Sequence, residues 1–219
     1  MALSFALLNT MQVIALVTQK GGCGKSTLAL SLAVAARGVN RRTLILDTDP
    51  QRTVSTWWQD REQETPDCVE VFESTALPKA LDLAKQKRFD LVFIDTPGRD
   101  DPINARVIGL ADFCLIPCRP AMADMRAQSA TVGVVKRLAK PGAFVLVQTP
   151  PRGPRLREAQ HGLGVYGLPV APHGIVSRQS YNDAYAVGLA VTEYEPHGKA
   201  AQEVLDLWQW LERKMGKMT

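Results

Sequence analysis

Three observations predict a doubly wound α/β fold with a mostly parallel sheet flanked by helices. First, short apolar runs recur at 13–18, 43–47, 68–72, 91–95, 113–117 and 144–148. Several, such as Leu-Val-Phe-Ile at 91–94, have no polar alternation, the mark of strands covered on both faces. Second, longer segments with helical spacing fill the gaps at 26–37, 54–64, 77–87, 122–140 and 202–214. Strand–helix alternation of this kind gives parallel pairing through right-handed crossovers. Third, the Gly-rich and acidic segments follow strand ends, the edge at which such sheets bind ligands. A weaker strand is expected around 165–171.

Composition narrows the class further. The chain has 219 residues, 46% hydrophobic and 22% charged, with 26 Lys+Arg against 22 Asp+Glu for a net charge of +4. That is too apolar and too balanced for intrinsic disorder. It is long enough to bury a large core without disulfides. Residues 11–219 are read as a single domain. Residues 1–10 read as an N-terminal extension, expected to be disordered, because Met11 opens Met-Gln-Val-Ile-Ala-Leu like a natural start. The opening segment lacks the basic start and cleavage site of a signal peptide, and no apolar run reaches the ~20 residues of a membrane span. Cys23, Cys68, Cys114 and Cys118 are few and apolar-flanked, so they read as reduced thiols. His161, His173 and His197 show no ligand spacing and read as structural or surface residues.

The most specific chemistry lies at Lys20-Gly21-Gly22-Cys23-Gly24-Lys25-Ser26-Thr27, between the first strand and the first helix. Glycines let backbone N–H groups surround phosphate oxygens, and the helix N-terminus adds a positive dipole end. Lys25 would neutralise β/γ-phosphate charge, and the Ser26 hydroxyl would ligate Mg²⁺. The usual G-x-x-x-x-G-K-S/T pattern wants Gly at position 19, which here is Gln19, and a further lysine, Lys20, precedes the glycines. This K-G-G-x-G-K-S/T form resembles the deviant Walker A loop of the ParA/MinD ATPases. The resemblance implies a P-loop NTPase fold and a catalytic role for Lys20 in trans, reaching the phosphates bound by a partner subunit. A cation there would meet charge building on the phosphoryl oxygens.

Two acidic motifs follow strands. In Leu-Ile-Leu-Asp-Thr-Asp-Pro-Gln at 44–51, strand alternation puts Asp47 and Asp49 on one side. One carboxylate can hold Mg²⁺ or its waters while the other orients the attacking water. The segment resembles the family's D-x-D-P-Q motif, which implies Asp49 as the water-positioning residue and Asp47 as a Mg²⁺-shell residue. The plain alternative is a pair of aspartates capping the next helix. Leu-Val-Phe-Ile-Asp-Thr-Pro-Gly at 91–98 reads as Walker B, with Asp95 near Mg²⁺. Gly98 stands where the family often has a second Pro, which puts the loop's rigidity in question. Segment 111–120 resembles the family's strand ending in a proline-bearing nucleotide loop.

The last third is basic. Arg152, Arg155 and Arg157 form a loop suited to phosphate oxygens and nonspecific duplex DNA, with a solvated loop as the plain alternative. The 175–184 segment with Gly188 resembles the late ParA segment whose arginine binds DNA near the dimer edge. By that likeness Arg178 is a DNA contact and Lys199 a second basic position. The last helix carries Val204, Leu207, Trp208 and Leu211 at core spacing. Arg213, Lys214 and Lys217 make a membrane anchor conceivable, but Met215 and Met218 are the only apolar residues past Leu211, so a packed helix is expected. Trp57, Trp58, Tyr181 and Tyr185 read as packing or partner surface.

The resemblance spans nearly the whole chain from Met11 and is nearest to small plasmid partition proteins of the ParF-like group. It implies a Mg²⁺- and ATP-dependent hydrolase that forms an ATP-sandwich homodimer. Such a dimer binds DNA nonspecifically and is stimulated by a ParB-like centromere-binding protein to drive plasmid or chromosome partition. A bacterial cytoplasmic, nucleoid-associated location with no stable membrane association goes with it. The alternatives are a ParA-like positioning ATPase for another cargo, such as a conjugative transfer complex or organelle, a MinD-like membrane-associated regulator, and a nitrogenase-type iron protein. The last would need two well-separated cysteines bridging a cluster between subunits.

Overall fold

A computed structural model describes residues 11–38 and 41–216. The proposed 1–10 extension and the Lys217 and Met218 positions lie outside the described residues. Strands β1 (Gln12–Leu16), β2 (Thr43–Asp47), β3 (Asp67–Glu70), β4 (Leu91–Asp95), β5 (Phe113–Cys118) and β6 (Gly142–Leu146) form one parallel sheet in the order β3-β2-β4-β1-β5-β6. The continuous apolar runs occupy it as their composition demands. β2, β4, β5 and β6 are buried at every residue.

Helices α1 (Lys25–Arg37), α2 (Thr53–Gln59), α3 (Leu77–Gln86), α4 (Pro102–Leu110), α5 (Met122–Arg137), α6 (Arg155–Gly164), α7 (Ser180–Tyr185), α8 (Val191–Tyr194) and α9 (Lys199–Gly216) surround the sheet. One core cluster joins α1 and α9 to it, with Trp208 against Phe93 at 6.2 Å between ring centroids. The other lies under α3, α4 and the α5–α6 face. Val204, Leu207, Trp208 and Leu211 are all buried, so α9 is the packed core helix its spacing predicts. Among the described residues no helix is long and apolar enough to cross a membrane.

Several expectations are corrected. Segment 165–171 is not a strand; it contributes only an isolated bridge between Val170 and Phe144. The basic stretch is not wholly a loop, since Arg155 and Arg157 open α6. α4 was not expected, although its start is written in Asp101-Pro102. The Asp101 side chain accepts from the Ile103 N–H, and proline at the first helical position loses no bond. α2 stops at Gln59, well short of 64, because Arg61 leaves the helix for the interior. Its fully buried guanidinium binds Glu193 through two bonds of 2.9 Å, donates to the Gly188 and Thr65 carbonyls, and lies 4.4 Å from the Trp57 ring centroid.

Register builds the functional edge. β1 and β2 both flank β4, pairing Leu16 and Asp47 with Asp95. The phosphate loop leaving β1 and the two acidic motifs ending β2 and β4 are therefore level at the carboxyl edge. Beyond β1 the chain order reverses to β5, so the loop sits where the sheet's winding changes direction.

Candidate nucleotide site

Gly22 and Gly24 take left-handed backbone angles, φ 71° and 70°, which a glycine adopts without strain. α1 then begins at Lys25 and aims its free N–H groups back at the loop. A cavity of about 530 Å³ opens there, lined by residues 21–27, Asp49, Gln51, Thr53, Pro97, Gly98, Arg99 and Gln148. Every residue assigned to phosphate binding, Gly21 through Thr27, lines it.

Gly98 answers the rigidity question. A Cβ at that position would stand 2.8 Å from the Gly21 Cα, so the loop after β4 rests directly on the phosphate loop. Lys25 is 5% exposed, and burial lowers its pKa against the opposing pull of Asp95. Asp95 is fully buried. Its Oδ2 accepts the Ser26 hydroxyl at 2.6 Å, while its Oδ1 has no partner. Burial pushes its pKa up to about 7, countered by the Ser26 bond and Lys25. An orphaned carboxylate oxygen beside a hydroxyl and a phosphate cradle fits a divalent cation. No cage of three or more His, Cys, Asp or Glu occurs among the described residues. Ser26 and Asp95 would thus share such an ion with phosphate oxygens and water, the habit of Mg²⁺. When bound, that ion neutralises phosphate charge.

The two aspartates of the 44–51 motif part company. Asp49 lines the cavity, with one oxygen taken by the Gln51 N–H in a tight turn. Asp47 is fully buried and stands outside the lining. Its Oδ2 accepts the Ser55 N–H and hydroxyl at 2.9 and 2.8 Å, and its Oδ1 accepts the Asp49 N–H at 3.1 Å. Burial raises its pKa. In this geometry Asp47 holds the turn that presents Asp49, so the capping reading accounts for its contacts directly. Lys20 also stands outside the lining. Its side chain is 45% exposed, with Asp124 Oδ1 at 3.8 Å. Asp124 is bound in turn by Arg119 through two bonds.

Among the basic positions, Arg152, Arg155, Arg157 and Lys199 are exposed. Arg178 is not free: its guanidinium is paired with Glu203 of α9 at 2.5 Å. It lines a second cavity of about 240 Å³ that shares Gly24, Thr27 and Gln148 with the first. Tertiary packing thus brings the 175–182 segment against the phosphate loop. Gln148 was missed in sequence. It follows β6 at φ 51° and donates from Nε2 to the Gly22 carbonyl at 2.9 Å; the only sequence signal was its place after a strand. Cys23, Cys114 and Cys118 are buried free thiols, and burial raises their pKa, Cys114 and Cys118 to about 12. The three histidines are exposed.

A parallel six-stranded sheet with this loop and acidic edge defines a nucleotide-binding protein of the P-loop class. The family model of the CobQ/CobB/MinD/ParA nucleotide-binding domain matches residues 14–200, and the chain belongs to that family. It is 31% identical over 199 residues to a maintenance of carboxysome distribution protein A from Gloeobacter kilaueensis, covering 88% of each chain. The protein of the same name from Halothiobacillus neapolitanus is 29% identical over 208 residues, covering 90% of this chain and 94% of the relative. The septum site-determining protein MinD of Pyrococcus horikoshii, solved with Mg-ADP, superposes with a TM-score of 0.78 at 17% identity, over 96% of this chain and 99% of that one.

Proposed function

We propose that the chain is a Mg²⁺-dependent ATPase that positions an intracellular cargo. It pairs as a nucleotide-sandwich dimer, binds DNA nonspecifically in that state, and is released when an adaptor on the cargo triggers hydrolysis. The observation that carries this reading is the division of labour between the two lysines of one loop. Lys25 is buried against its own cavity, whereas Lys20 lies outside it and half exposed. A cation so placed serves a second subunit's phosphates better than its own.

Within the cycle, Lys25 and the loop N–H groups hold the β/γ-phosphates. Ser26 and Asp95 hold the ion. Asp49 orients the attacking water, and Lys20 arrives from the partner as the transition-state cation. The base extends into the second cavity, beside Gln148 and the 175–182 segment. The likeness to two maintenance of carboxysome distribution proteins favours a protein body as one form of the cargo. Plasmid or chromosome partition through a ParB-like adaptor is the other form of the same cycle.

The test is a DNA gel shift with ATP, a slowly hydrolysed ATP analogue, ADP and no nucleotide. Binding confined to ATP and the analogue is expected. Intact ATPase activity without DNA binding in any state would overturn the DNA step. ATP-dependent sedimentation with liposomes would then favour a membrane-associated regulator.

A further inference from the structure

We propose that the DNA-docking face is the pole of the molecule opposite the phosphate loop, where all six strands begin; the proposal rests on the DNA reading above. In a parallel sheet every α-to-β turn returns to the same edge. Here those turns carry cations. Arg41 and Arg42 precede β2, Lys87 and Arg88 precede β4, and Lys140 precedes β6. Contacts tie each of these turns to a neighbour along the edge. The Arg42 guanidinium donates to the Lys87 carbonyl at 2.6 Å, Lys140 Nζ donates to the Ala111 carbonyl at 2.9 Å, and Arg41 lies 3.5 Å from Glu212 near the end of α9.

The last turns of α1, α3, α5 and α9 add Arg37, Lys85, Lys136, Arg137, Arg213 and Lys214. Favourable interaction with helix dipoles accounts for that second group. It reaches Lys87, the C-cap of α3, but not Arg41, Arg42, Arg88 and Lys140, which lie beyond the helix ends. The carboxylates at this edge are largely engaged. Asp90 and Asp112 accept backbone N–H groups of Arg42 and Val13, and Glu212 faces Arg41. Glu64 and Asp67 share a cavity with Arg37, Arg41 and Arg42 on the β3 side, so the free cations of the face lie away from that side. Lys85, Lys87, Arg88, Lys136 and Arg213 have no carboxylate within the ion-pair distance among the described residues and are exposed.

Clustered cations of this density match the repeating phosphates of a duplex. They suit a lipid surface less well. The apolar residues of α9 are buried in the core, and among the described residues Leu138 is the one exposed large hydrophobic residue on these turns. Five-residue strands set the pole about 15 Å from the phosphate loop. It stays open when a second copy covers that loop. Pairing through the loop edge then sets one such face at each outer end of the dimer, where each can dock a separate duplex segment, and among closely spaced segments the second docks at raised effective concentration. DNA affinity would therefore follow nucleotide state wherever duplex segments lie close together, without any cation changing place. Arg178, paired with Glu203, is not needed.

The experiment compares DNA binding by wild type, by a triple variant Lys87→Glu/Lys136→Glu/Arg213→Glu, and by Arg152→Ala/Arg155→Ala/Arg157→Ala, each with the ATP analogue over a salt series. The pole variant is expected to lose at least tenfold in affinity and about one unit of salt slope per lost phosphate contact. Its nucleotide affinity and basal ATPase rate should stay unchanged, which also reports folding. Retention of wild-type affinity and slope by the pole variant, with loss in the arginine variant, would overturn the proposal and leave the DNA reading standing. Wild type that binds no DNA, yet binds vesicles containing anionic lipid, would overturn both.

Discussion

Asp95 meets its surroundings as a charge removed from water, with one oxygen bonded to Ser26 and the other bare. Its pKa of about 7 exceeds the unfolded value near 4. The native, metal-free protein thus binds a proton that the unfolded chain has released. The resulting stability is fully present below pH about 4 and is lost as pH rises through about 7. Urea midpoints of the metal-free protein should fall across that window, and Asp95→Asn should flatten the trend. Lys25→Ala should weaken ATP binding by about 2–3 kcal/mol, the worth of charge-assisted bonds; an unchanged nucleotide titration would contradict the cradle. Asp49→Ala should bind ATP normally and hydrolyse it about a hundredfold or more slowly. A normal single-turnover rate would remove Asp49 from the chemistry.

At the scale of elements, two contacts hold the site's frame. The loop after β4 lies against the phosphate loop through Gly98, so Gly98→Ala must displace one of them. The expected cost is about 1–3 kcal/mol of stability, together with weaker nucleotide binding. Behind the site, Arg61 ties the end of α2 to Glu193 in α8 and to the Gly188 carbonyl. Removing it leaves Glu193 with Arg37 at 4.0 Å as its remaining cation and strips the Gly188 and Thr65 carbonyls of their donor, and Arg61→Ala should cost about 1–3 kcal/mol in denaturant unfolding. A cost below 1 kcal/mol would mean that water replaces the guanidinium. Gly98 stood out in sequence only as a missing proline. Arg61 did not stand out at all, because a lone arginine after a helix usually faces solvent.

For the whole molecule, the decisive question is what a second copy adds. If Lys20 acts across the dimer, Lys20→Ala alone and Lys25→Ala alone should both hydrolyse poorly. Mixing them should restore part of the turnover. In the mixed dimer the Lys20→Ala chain holds nucleotide with its own Lys25, and its partner supplies an intact Lys20. Rates that stay additive on mixing would place Lys20 in its own site.

The strand runs and the phosphate loop were legible in the linear chain because each depends on local rules. Unbroken apolar stretches need burial on both faces, and glycines before Lys-Ser-Thr need a left-handed turn into a helix. The order of strands, the parting of Asp47 from Asp49 and the partner of Arg178 were not legible. Asp47 and Asp49 share a side by alternation, yet Ser55, eight residues on, occupies one of them. Glu203 neutralises Arg178 from a helix 25 residues away. The basic pole also arises only on folding. Cations scattered from Arg41 to Arg213 are strangers in sequence, and parallel winding returns the turns that carry them to one edge of the sheet.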